Sequence, residues 1–142
     1  MKVIPFFIIF VETIRDMVEH FVTYEQALAL KELGFDEPCF GKYDTYIADQ
    51  WVLNILPEGR QFRNTNKACI APLKQQVFKW FWVYFHLSHN IFDWLDDFEI
   101  TITEWSLCED RIVYEYPRFD TYEQAESACI DKLIEIIKEK KL

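Results

Sequence analysis

Phe98-Glu99-Ile100-Thr101-Ile102-Thr103 alternates apolar with polar residues at every step. A side-chain period of two belongs to an extended strand with one buried face, so the pattern predicts a strand over about 97–106. Cys108 to Arg111 supplies a polar turn. Ile112, Tyr114 and Tyr116 then alternate with Val113 and Glu115 as the returning strand, which Pro117 ends. A lone hairpin is barely stable in water. What the rest of the chain lays against 97–116 therefore decides the fold.

One partner follows directly. Thr121-Tyr122-Glu123-Gln124 is a capping box, in which a threonine hydroxyl and a glutamine amide satisfy backbone groups that a helix start leaves open. Tyr122, Ala125, Cys129, Leu133, Ile136 and Ile137 share one face beyond it. Glu126, Asp131, Glu135, Lys138 and Lys140 lie opposite, and the terminal lysines suit the negative end of a helix. The spacing predicts a helix over 122–140. Thr23-Tyr24-Glu25-Gln26 repeats the box and opens a helix over about 24–33, with Gly34 as its stop. The residues after the two boxes do not match, so these read as two similar helix starts and not as a duplicated unit.

Between them, 43–47 and 51–56 are rich in aromatic and branched residues and read as strands. Residues 58–70 read as a polar, basic loop. Pro72 suits the first position of a further helix. Leu73, Val77, Trp80, Phe81, Tyr84 and Leu87 fall on one face of it, and Phe78, Trp82 and Phe85 widen that face until little polar surface remains. Ser88-His89-Asn90 is expected to end it. The fold expected is one α+β domain, with a small antiparallel sheet of about four strands packed with three helices, and with 72–87 and 122–140 on one sheet face.

The chain of 142 residues is long enough to bury a full core without disulfides or metals. An aromatic fraction of 18% and only three glycines exclude a disordered or linker-rich chain. Cys39, Cys69, Cys108 and Cys129 are scattered, with no C-x-x-C, and read as reduced core residues of a cytoplasmic protein. Lys2 precedes an apolar run from Val3 to Val11. Pro5 interrupts this run, no cleavage signal follows, and it falls short of the about 20 residues that a membrane span needs. Residues 1–16 read either as a buried first strand or as a loosely attached upstream extension ahead of a natural start at Met17.

The net charge of −9 is unevenly spread. Residues 93–126 hold eleven acids against Arg111 and Arg118. Asp93, Asp96, Asp97, Glu99, Glu109, Asp110 and Glu115 are the candidate interaction surface within this segment. Arg60, Arg63, Lys67 and Lys74 make a candidate basic patch in the middle of the chain. Solvated faces that keep an aromatic-rich protein soluble are the plain alternative.

Catalytic patterns are weak. His86-x-x-His89, with Asp93, Asp96 and Asp97 downstream, is the best metal-ligand candidate, because two histidines three apart share a helix face. One packed and one capping histidine is the competing reading. Asp36-Glu37 and Asp96-Asp97 offer paired carboxylates, but neighbouring acids in loops are usually solvated. No nucleophile elbow, Walker loop or dinucleotide fingerprint occurs. Trp80, Phe81 and Trp82 beside basic residues resemble a single-strand-binding surface, which the acidic whole chain argues against.

Three stretches carry a resemblance. They are Thr23-Tyr24-Glu25-Gln26-Ala27 leading into 31–40, then Ala71 to Phe81, and then Phe119 to Ala125. In order and spacing over about 20–140 they resemble a family of small proteins, without assigned activity, encoded by phages and prophages of gut Bacteroidetes. The resemblance implies a setting, a phage accessory protein in the cytoplasm of a bacterial host, and it supports Met17 as the start. It brings no catalytic residue with it.

The function expected is non-enzymatic protein–protein binding to a host or phage protein, against a host defence component as one case. No cofactor, metal or membrane association is expected. A homodimer is an added option, since interfaces favour aromatic residues. A nucleic-acid-linked role, as binder or as acidic mimic of DNA, is the alternative, followed by a small metal-dependent enzyme.

Overall fold

The computed structural model describes residues 17–55, 61–65 and 68–141. The reading of 1–16 as strand or extension lies outside these residues, as do Arg60 and Lys67 of the candidate basic patch. The chain runs α1 (Tyr24–Glu32), β1 (Gly41–Ile47), β2 (Gln50–Ile55), β3 (Cys69–Ala71), α2 (Lys74–Phe85), β4 (Leu87–Trp94), β5 (Asp97–Glu104), β6 (Arg111–Phe119) and α3 (Tyr122–Lys140). The class is α+β, as the patterning indicates. The strands form two antiparallel sheets of three, with orders β2-β1-β3 and β4-β5-β6.

Helix α1 begins as its sequence dictates. Thr23 Oγ1 accepts from the Gln26 amide at 3.2 Å, and Gln26 Oε1 accepts from the Thr23 amide at 3.0 Å, which completes the capping box. Gly34 follows at φ +97°, a left-handed conformation that glycine adopts without steric penalty. Helix α3 buries Ala125, Cys129, Ile130, Leu133, Ile134 and Ile137 along one stripe. It packs against all three strands of the second sheet and against α1 and α2. Each large apolar side chain fully buried there is worth roughly 1.5–3 kcal/mol.

Helix α2 ends two residues earlier than the apolar run suggests. His86 adopts φ 55°, ψ 34° as its left-handed cap, and Leu87 starts β4 at once. Ser88, His89 and Asn90, expected to be a helix terminus, are strand residues paired with Thr103, Ile102 and Thr101. Of the helix aromatics, Phe78, Trp80 and Phe81 are buried, while Trp82 and Tyr84 face outward. The expected basic loop also closes sooner, because Cys69, Ile70 and Ala71 form a buried short strand against β1.

Candidate functional site

Register fixes which side chains share the outer face of the second sheet. Phe92 pairs with Glu99 and Trp94 with Asp97 across β4–β5. Glu99 pairs with Arg118, Thr101 with Glu115 and Thr103 with Ile112 across β5–β6, around two bulges. Partners in an antiparallel ladder point to the same side. The opposite side carries Ile100 and Ile102, which are fully buried. No described helix lies on the outer face.

One end of that face is built around Arg118. Its guanidinium lies 5.8 Å from the Trp94 ring centre and bridges Asp97 at 3.4 Å and Glu99 at 3.7 Å. Stacking and ion pairing hold it across the strands. Asp97 Oδ1 is the one described buried side-chain oxygen without a hydrogen-bond partner. Phe92, Trp94 and Ile112 are about half exposed at 46%, 51% and 56%. At the other end, Trp105 donates from its indole to Ser88 Oγ at 2.7 Å and meets Trp82 edge-on.

Six of the seven candidate acids lie on this face or in the turns at its ends, while Asp93 pairs with Phe98 and belongs to the opposite side. Asp97 and Glu99 are partly buried on it, and Glu115 is exposed on it. Asp93 and Asp96 are exposed at the β4–β5 end, and Glu109 and Asp110 are exposed in the β5–β6 turn. Sequence reading missed Phe92 and Trp94, although their spacing of two was the available signal. Glu104 lies apart from the group. It accepts from Lys140 at 2.7 Å and from Arg111 at 3.3 Å, and the Lys140 hydrogen bond holds its carboxyl below the usual range.

Of the candidate basic patch, only Arg63 and Lys74 are among the described residues. Lys74 is buried at 6% exposure in the first turn of α2, near Glu126, because the aliphatic stem of lysine packs readily. Arg63 alone of the four is a described surface residue.

The histidine pair also comes apart. His86 is the exposed cap, and His89 stacks on Phe78 in the sheet. Three residues that span a helix end do not share a helix face. Among the described residues no group of three His, Cys, Asp or Glu side chains is placed to hold a metal ion.

Burial pushes the thiols of Cys39 and Cys129 up to about 12, away from nucleophilic character. Cys108, expected in the core, is exposed in the β5–β6 turn. No described helix is long and apolar enough to cross a membrane.

No protein-family model, curated protein or solved structure matches this chain.

Proposed function

We propose that this chain is a non-enzymatic binding protein that engages a basic partner protein through the outer face of its second sheet. The observation that carries this reading is the outer face itself, where half-exposed Phe92 and Trp94 pair with Glu99 and Asp97, Ile112 and Glu115 lie further along, and Asp96, Glu109 and Asp110 are exposed in the turns at its two ends. Exposed apolar side chains rimmed by charge are the makeup of an interface. Aromatic rings supply the buried contact, and carboxylates steer a cationic surface toward it. The same acids repel a second copy of a chain with net charge −9, so a basic partner fits better than a homodimer. In the setting that the resemblance implies, the partner is a protein of the bacterial host, a defence component being one case.

The test is capture from host lysate with three baits. They are the native chain, a Phe92→Ser/Trp94→Ser variant, and a Glu109→Gln/Asp110→Asn/Glu115→Gln variant. The reading requires one protein held stoichiometrically by the native chain, weakened in both variants, and released as salt rises toward about 0.5 M. It fails if nothing is held, or if both folded variants hold the same protein as tightly.

A further inference from the structure

A cleft of about 420 Å³ opens on another part of the molecule, between the end of α1 and the side of α2. Gly34, Asp36 and Glu37 form one wall, and Trp80, Tyr84 and Phe85 form the other. From this geometry we infer that the cleft is a binding site for a cation sheathed in methyl or methylene groups, such as a quaternary ammonium or an alkylated lysine side chain.

Three features of different origin agree on the sign and shape of the ligand. The first is aromatic. Trp80 packs edge-on to Phe35 at 5.2 Å and to Phe85 at 5.1 Å, and tilts against Tyr84 at 6.0 Å. Trp80 is 6% exposed and forms the floor, while Tyr84 is 61% exposed, so the ring most open to a ligand at the mouth is that of Tyr84. Ring faces attract cations, and they do so best when the cation carries an apolar shell that sheds water cheaply.

The second is charge. Asp36 and Glu37 line the cleft, and neither forms an ion pair among the described residues. The third is the backbone. The C-terminal end of α1 lies at this wall, and a helix C-terminus carries partial negative charge. That end already draws one ammonium group, since Lys141 Nζ donates to the Leu33 carbonyl at 3.2 Å. Lys141 does not line the cleft itself.

The acidic wall is also held in place before any ligand arrives. The Phe35 amide donates to the Leu30 carbonyl at 2.9 Å, Asn64 Nδ2 donates to the Phe35 carbonyl at 2.8 Å, and Gln76 Nε2 donates to the Pro38 carbonyl at 3.0 Å. The last of these ties the segment after Gly34 directly to α2. A preformed cleft loses little ordering entropy on binding.

The test follows the Trp80 indole and Tyr84 ring signals by NMR at low salt. The protein is titrated separately with choline, with the uncharged carbon isostere of choline, and with blocked Nε-trimethyl-lysine. The inference requires saturable shifts at Trp80 and Tyr84 with at least one cation and not with the isostere. An Asp36→Asn/Glu37→Gln variant, whose remaining spectrum reports its fold, should bind at least about tenfold more weakly. Tyr84→Ala, at an exposed position, should weaken binding with the charges intact. Tighter binding of blocked trimethyl-lysine assigns the ligand to another protein's side chain, and tighter binding of choline assigns it to a small molecule. Absence of saturation with both cations, or equal response to the isostere, overturns the inference.

Discussion

The imidazole of His89 lies flat on the ring of Phe78, 3.6 Å between ring centres and 13° from parallel. Burial in this stack pushes its pKa down from 6.5 to about 4. In the unfolded chain the ring takes a proton near 6.5, whereas in the folded chain it resists protonation until about 4. The His89 contribution to stability is therefore intact above pH 6.5, falls away between about 6.5 and 4, and levels off below. Urea midpoints measured across this window should decline for the native chain and less for His89→Phe. A His89 ring signal titrating near 6.5 by NMR would contradict this account.

The two Thr-Tyr-Glu-Gln boxes predict different costs. Gln26 is 3% exposed, and its side-chain amide donates to the Ser127 carbonyl, Ser127 Oγ and Asp131 Oδ1 at 2.9–3.0 Å, joining α1 to α3. Gln124 is exposed, and only its backbone amide serves the cap, donating to Thr121 Oγ1 at 3.2 Å. Gln26→Ala should lower unfolding free energy by roughly 2–3 kcal/mol, since it empties a buried site and removes the hydrogen bonds that join α1 to α3 as well as half of the capping box. Gln124→Ala should change it by less than about 0.5 kcal/mol. Chemical denaturation of both variants decides the point, and equal effects would count against it.

Gly34 and Gly41 should fail for different reasons when replaced by alanine. Gly34 has open space around it but a φ of +97°, so Gly34→Ala should cost about 1–2 kcal/mol through the backbone alone. At Gly41 a Cβ would lie 2.9 Å from Phe21 Cε1 and 3.0 Å from the Ala71 carbonyl oxygen. Gly41→Ala should cost about 1–3 kcal/mol through overpacking. Adding Phe21→Leu should recover part of the second loss and none of the first, which a double-mutant cycle measures.

Glu104 ties β5 to both β6 and the end of α3, through Arg111 and Lys140, at a solvent-exposed site. Such pairs contribute little in water and less in salt. Glu104→Gln should lower stability by under about 1 kcal/mol at low ionic strength, and the difference should vanish near 1 M salt. A persistent difference at high salt would point to packing instead.

The parts of the fold that were legible share one property, in that the local signal and the tertiary outcome agree. The alternating 98–103 run is β5, the second capping box starts α3, and the 24–33 helix stops at Gly34. What escaped reading did so through turn chemistry. His86 takes the left-handed cap that glycine usually holds, so the apolar run of α2 reads on without a stop into Leu87. Ala48 and Asp49, at φ 50° and 62°, turn β1 into β2 without the usual Asn-Gly. Leu95 and Asp96 turn β4 into β5 with no glycine or proline to announce it. Losing β4 hid the outer face, because Phe92 and Trp94 become neighbours of Glu99 and Asp97 only once that strand is paired. The acids themselves were legible as composition. The burial of Lys74 was not, since burial of a lysine depends on tertiary packing.

The single-residue joint at His86 sets a rule about how this chain can vary. A helix turns about 100° per residue and a strand reverses its faces at every residue. Adding one residue between Lys74 and Trp94 would therefore rotate α2 against its neighbours or turn Phe92 and Trp94 inward and Ile91 outward. With no loop at the joint to absorb the change, substitutions in this stretch are graded in effect, whereas insertions and deletions are all-or-none. Changes of length are left to the turns at 48–49 and 105–110, so related chains that differ in length should keep 74–94 at constant spacing.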